Sequence, residues 1–153
     1  EDGIRDSWAS RGLGDVYKRQ GEEKVYQFRR SWDLRPGPLD KQSKFHPSNI
    51  DTYKNVPIEN IPDTESLKDT FLRVANYYES EIVNNLNNGN ILISAHGNSI
   101  RALCKYLFNI DKVKISSLEI PTGNPLLIEL DEVQKIKSCK YLDKDRAKDL
   151  VIF

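Results

Sequence analysis

Apolar residues recur every three or four positions between 67 and 86, where Leu67, Phe71, Val74, Ala75, Tyr78, Ile82 and Leu86 fall on one helical face. Thr64 stands ahead of this stripe as a capping residue and Asn88-Gly89 follows it as a stop, so the pattern predicts a helix between them. The period then changes. Ile91-Leu92-Ile93-Ser94-Ala95 is a short unbroken apolar run, which predicts a strand buried on both faces of a parallel sheet. His96-Gly97 ends that run, and Ile100, Leu103 and Leu107 restore helical spacing over residues 99–108. Strand, tight turn and helix in this order make half of a βαβ unit. Residues 125–130 predict another buried strand, Asp131-Glu132 a turn, and residues 135–142 a weaker edge strand partly facing water. Nearer the start, Val25, Phe28 and Trp32 behind Glu22 and Glu23 predict a short helix over residues 21–32 that carries the paired cations Arg29 and Arg30. Residues 34–63 hold five of the seven prolines and keep no period, which predicts a long loop of the kind that often carries function.

Composition narrows the partners. A chain of 153 residues with 38% hydrophobic content is the size of one domain or part of one. Lys+Arg and Asp+Glu both number 23, so no net charge draws it to nucleic acid or to an anionic membrane, and anion recognition has to be local. Cys104 and Cys139 read as buried thiols in a reducing compartment, which favours the cytoplasm over a secreted disulfide framework. The first 20 residues differ from the rest, with three of the nine arginines, none of the twelve asparagines and no sustained period. They read either as an appended N-terminal segment, artefactual or disordered, or as a native irregular loop, ahead of a domain over residues 21–153. They carry no apolar signal core, and no run anywhere in the chain approaches the ~18 apolar residues that span a bilayer.

The candidate chemistry gathers at His96. A histidine at the carboxyl end of a buried strand, just ahead of a helix, sits where open α/β sheets bind ligands. Helix N-terminal amides carry partial positive charge, Gly97 lets the backbone approach closely, and Asn98 can cap the helix or give its amide to a phosphate oxygen. His96 would add a charge-assisted donor. The residues alone leave two readings open, this one and a structural histidine bonded to a loop carbonyl. Arg29 and Arg30 are either a solvated helix end or a bidentate clamp on a small dianionic substrate. Arg101 is a weaker candidate. Two histidines and two cysteines at positions 46, 96, 104 and 139 give no zinc spacing, and neither a glycine-rich phosphate loop nor a GxSxG elbow occurs. Cys104 reads as core, and His46 as a loop residue.

Five blocks in order, GEEKVYQFRRSWD, RPGPLD, DTESLKDTFLRV, LISAHGNSIRALCKYL and IPTGNPLLIELD, resemble the cofactor-dependent phosphoglycerate mutases of the histidine phosphatase superfamily. The resemblance covers residues 21–142. It implies an α/β three-layer sandwich with a mostly parallel central sheet, present here incomplete, as the C-terminal part of that family's domain. It also implies interconversion of 3- and 2-phosphoglycerate through a phosphohistidine, in the glycolytic and gluconeogenic direction alike. His96 matches the second active-site histidine, which stabilises the transferring phosphoryl group. Gly97 and Asn98 match substrate contacts beside it, and Arg29 and Arg30 match the arginine pair that holds substrate. The implied cofactor is 2,3-bisphosphoglycerate as primer, with no metal. The implied partner is the small phosphoglycerate alone, with neither nucleic acid nor membrane, and the intact protein can be a homo-oligomer. One departure is large: the family's RHG motif, which bears the phosphorylated histidine, has no counterpart in this sequence. The chain alone is therefore expected to be inactive, and to expose apolar sheet edges that make its folding marginal. A phosphohydrolase of the same superfamily and a non-catalytic domain that binds phosphorylated ligands are the other two readings.

Overall fold

The computed structural model describes residues 23–24, 27–28 and 31–147. The chain divides into two compact units, Glu1–Ser66 and Leu67–Phe153. In the first, Glu23, Lys24, Gln27 and Phe28 are α-helical, in keeping with the helix expected over residues 21–32, while Arg29 and Arg30 lie outside the described residues. The proline-rich loop is ordered by three 3-10 turns, Pro47–Asn49, Asp51–Tyr53 and Ile58–Asn60. Side chains knit it locally. The Asn49 amide donates to the carbonyls of Lys41 and Ser43 at 2.7 and 2.9 Å, and the Thr64 hydroxyl donates to the Pro36 carbonyl at 2.7 Å. The next helix begins at Leu67, two residues later than a cap at Thr64 predicts.

The second unit opens with α1, Leu67–Tyr77. Leu67, Phe71, Val74 and Ala75 are half-buried along the expected stripe, whereas Leu72 and Tyr77 face water. The helical path continues to Asn88, but not as α-helix: Tyr78–Ile82 forms a π turn and Val83–Asn88 a 3-10 stretch. The asparagines explain the change. The Asn84 and Asn85 amides donate to the Ser80 and Glu81 carbonyls at 2.8 and 2.7 Å, competing with the backbone for the acceptors that an α-helix needs. Gly89 ends the stretch at φ 134°, a conformation open to glycine.

The strand expected over residues 91–95 does not form. Leu92 is 91% exposed and Ile91 and Ile93 are 39% and 40% exposed, so the run is neither paired nor buried. A parallel strand exists only between hydrogen-bonded neighbours, and among the described residues none lies beside this one. Next comes α2, Gly97–Phe108, which buries Ala102, Leu103 and Cys104 and ends at Asn109 in the left-handed conformation, φ 49°. The helix α1 packs on α2 through aromatic rings. Tyr106 meets Tyr78 at 5.5 Å and Phe71 at 6.3 Å between centroids, and its hydroxyl donates to the Glu79 carboxylate. A 3-10 turn, Lys114–Ser117, then brings Ile115 and Leu118 into the buried set.

β1, Leu126–Leu130, and β2, Ile136–Tyr141, form an antiparallel hairpin, the only sheet among the described residues. Both strands appear where the pattern predicts, but β1 is not buried on two faces. Its side chains alternate between half-buried and exposed, as suits an antiparallel pair with one wet face. The hairpin is closed by Asp131, whose carboxylate accepts from the Val133 and Lys135 amides at 3.0 and 2.8 Å, with Gln134 at φ 60°. At the open end the buried Asn124 exchanges both bonds with Asp143. Its amide donates to the Asp143 carbonyl at 2.8 Å and its carbonyl accepts the Asp143 N–H at 3.0 Å. No helix of the described residues is long and apolar enough to cross a membrane.

Candidate functional site

The first turn of α2 carries three of the five residues singled out from the sequence. His96 is the N-cap, in extended backbone at φ −62° and ψ 146°, and its Nδ1 accepts the Asn98 N–H at 3.2 Å. Its carbonyl meanwhile accepts the N–H groups of Ser99 at 2.9 Å and Ile100 at 3.1 Å. Asn98, which the sequence offers either as a cap or as a phosphate donor, lies inside the first turn, and the helix starts two residues earlier than the apolar spacing suggests. Histidine can take the position because an unprotonated ring nitrogen accepts a hydrogen bond as a hydroxyl or carboxylate does.

This cap fixes the chemistry of the ring. In that hydrogen bond Nδ1 is the acceptor, which leaves Nε2 as the ring nitrogen able to donate. His46 repeats the arrangement in the other unit. Its Nδ1 accepts the Ser48 N–H at 3.2 Å and lies 2.6 Å from the Ser48 hydroxyl, but the ring is only 3% exposed and caps a turn of three residues. His96 and Asn98, by contrast, are both exposed.

Gly97 is half-buried, and among the described residues nothing outside its chain neighbours and its own helix backbone lies within 4 Å of the place a β-carbon would take. Neither a neighbour nor a left-handed backbone requires glycine there, which leaves that face of the first turn clear for close approach of another molecule. No acidic residue stands in the first turn of α2 to offset the partial positive charge of its amides. Arg101 adds a cation one turn in. Its Nη1 donates to Asn98 Oδ1 at 2.7 Å and its Nε donates to the Leu118 carbonyl at 2.8 Å. The set consists of donors: an imidazole Nε2–H, an asparagine amide, helix amides and a guanidinium. It fits an anion and offers a cation nothing. No group of three His, Cys, Asp or Glu side chains placed to hold a metal ion occurs among the described residues.

Sequence spacing marked Arg101 as a weak candidate; its contacts make it the residue that links Asn98 to the 114–118 turn. The signal was present in the three-residue interval between Asn98 and Arg101, which places both on one helix face. Cys104, a turn further along, is core as expected. Burial pushes its thiol up to about 12, aided by the neighbouring Cys139 and opposed by Arg101. Cys139 is raised by burial as well.

The sequence model of the histidine phosphatase superfamily (branch 1) matches residues 35–139. Over 140 residues the chain is 61% identical to a 2,3-bisphosphoglycerate-dependent phosphoglycerate mutase of Pelagibacter ubique, across 91% of the chain and 59% of that relative. Proteins of the same description from Hyphomonas neptunium and Maricaulis maris are 48% and 46% identical over 133 and 134 residues, each across 86% of the chain and 55% of the relative. The chain thus spans between 55% and 59% of the length of these three curated relatives.

Proposed function

Because the chain belongs to the histidine phosphatase superfamily (branch 1), an α/β family, we propose that it is the C-terminal part of a 2,3-bisphosphoglycerate-dependent phosphoglycerate mutase. On this reading residues 21–153 belong to that domain, a three-layer sandwich around a mostly parallel sheet, and residues 1–20 lie outside it. The intact protein interconverts 3- and 2-phosphoglycerate by way of a phosphohistidine. The observation that carries the reading is the donor set at the α2 N-terminus, with the His96 ring and the Asn98 amide at an exposed helix end whose first turn holds no acidic residue. The names of the relatives support the substrate.

His96 donates Nε2–H toward the phosphoryl oxygens and holds the charge that builds up on them as the group transfers. The first-turn amides of α2 add donors fixed before the substrate arrives, so little reorganisation is needed at the moment of reaction. Gly97 lets the phosphate reach those amides, and Asn98 gives one more donor. Arg29 and Arg30 hold the substrate's carboxylate and phosphate through their planar forks. Bound 2,3-bisphosphoglycerate supplies the priming phosphoryl group. The same donors suit its phosphates, and charge stabilisation by histidine, arginine and amides leaves no role for a metal ion. The phosphorylated histidine belongs, on this reading, to the part of the relatives that the chain does not span. The intact protein is cytoplasmic, acts on a small molecule and can assemble with copies of itself.

The test is a coupled assay with 3-phosphoglycerate and 2,3-bisphosphoglycerate, run on the 153-residue chain and on a form extended at its N-terminus to the length of the relatives. Turnover by the extended form alone, lost on His96→Ala, is the expected result. Release of inorganic phosphate without 2-phosphoglycerate would replace the mutase with a phosphohydrolase, and phosphate binding with no turnover in either form would leave a phospholigand-binding domain.

A further inference from the structure

An asparagine amide has two faces of opposite character, and a phosphate accepts from only one of them. Rotation by a half-turn about the last side-chain bond exchanges the NH2 group with the carbonyl at little intrinsic cost. An exposed asparagine at a helix end therefore offers an anion its donor in one orientation and a repelling oxygen in the other. Asn98 is exposed, so burial does not choose between them. Arg101 does. A guanidinium only donates, so the Asn98 atom 2.7 Å from Nη1 has to be the carbonyl oxygen, whichever way the amide is drawn. The arginine is itself anchored from a different element, since its Nε donates to the Leu118 carbonyl at 2.8 Å, just beyond the 3-10 turn Lys114–Ser117. Leu118 and Ile115 are buried, so the anchor is not free to drift.

We propose that Arg101 is a positioning residue of the phosphate site, holding the Asn98 carbonyl so that the NH2 group is turned outward to the anion. This inference rests on the reading of the α2 N-terminus as a phosphate site. Arg101 acts through Asn98, while His96 and the helix amides act on the phosphate directly. Lysine cannot replace it: a single ammonium has no second nitrogen with which to hold the Leu118 and Asn98 oxygens at once in a fixed plane.

The experiment is titration of the isotope-labelled 153-residue chain with inorganic phosphate, followed by NMR at the Asn98 side-chain NH2, the Gly97 amide and the His96 ring. The variants are Arg101→Lys, Asn98→Ala and the double variant. In the parent chain, phosphate shifts all three sets of signals. In Arg101→Lys the affinity falls roughly tenfold, the scale of one charge-assisted hydrogen bond, and the Asn98 NH2 shift collapses while the Gly97 shift persists at saturation. In the Asn98→Ala background Arg101→Lys has no further effect, because the residue through which it acts is gone. Equal losses in both backgrounds would mean that Arg101 binds phosphate itself or only supports the fold, and either overturns the proposal. Full affinity in Arg101→Lys overturns it too, with the phosphate site intact. If phosphate moves none of the three signals in the parent chain, the phosphate-site reading falls and this inference with it.

Discussion

On the proposed reading His96 holds two roles that one substitution to alanine would confuse, and a pair of substitutions separates them. As N-cap it accepts one backbone bond, from the Asn98 N–H at 3.2 Å, at an exposed helix end. Loss of such a cap costs roughly 0.5–1 kcal/mol, the lower part of the measured range, because water can reach the freed amide. In a cooperative unit of the size of Leu67–Phe153, each kcal/mol moves the melting temperature by about 4–8 °C, so His96→Ala should melt about 2–8 °C lower. Asparagine is among the best capping residues, and its side-chain oxygen can take the same bond. His96→Asn should therefore melt at or above the temperature of the parent chain. It lacks the imidazole Nε2–H, however, and in the form extended to the length of the relatives it should lose mutase turnover as completely as His96→Ala. Thermal melts followed by circular dichroism at 222 nm, paired with the coupled assay, read both roles. A His96→Asn melt as low as that of His96→Ala would show that the ring does not hold the helix entry. Full turnover in His96→Asn would remove the imidazole from the chemistry.

Three further outcomes follow from the same geometry. Gly97→Ala should leave the melting temperature unchanged or raise it slightly, since glycine in a helix costs up to about 1 kcal/mol relative to alanine and, among the described residues, nothing outside its chain neighbours and its own helix meets the added carbon, yet it should weaken phosphate binding by filling the approach to the helix amides. Cys104 keeps its proton to about 12 when folded but loses it near 9.0 when unfolded, so its contribution is constant below pH 9 and declines as pH rises from there toward 12. Denaturant melts at pH 10.5 should show a loss of about 2 kcal/mol from this group, at ~1.4 kcal/mol per pH unit, and Cys104→Ala should flatten the slope; an unchanged slope would refute the account. Among the described residues the buried Tyr141 hydroxyl has no hydrogen-bond partner, so Tyr141→Phe should stabilise the chain, by up to about 1 kcal/mol in a denaturant melt, and a clear loss would show that the hydroxyl is satisfied after all.

Local signals in the sequence carried as far as local physics decides. The stripe from Leu67 to Tyr78, the stop at Gly89, the helix that buries Leu103 and the two strands of the hairpin all lie close to where spacing and turn residues put them. Their formation needs only neighbours in the chain. Residues 91–95 fared otherwise because an apolar run states a demand for partners and cannot supply them. The start of α2 differs for a chemical reason: histidine is not among the usual capping residues, so the spacing puts the helix entry near Ser99 rather than at His96. Thr64 is a good capping residue, yet the helix begins at Leu67, two residues beyond the start that a cap there would set. At the candidate site, His96, Gly97 and Asn98 were legible as a motif. What could not be read was the hydrogen bond that makes His96 the N-cap, or the hold of Arg101 on Leu118 seventeen positions away.

Leu92 stands almost bare between two half-exposed isoleucines, in a run without charge or proline. Segments of that composition stack on copies of themselves, edge to edge, when their own sheet does not claim them. The stability of this chain is then tied to how much of it is present. Dilution favours the monomer with its apolar run in water, and crowding in a tube or a cell favours association through Ile91–Ile93. A melting temperature that climbs with protein concentration would be a property of that five-residue stretch, while the helices and the hairpin around it stayed the same.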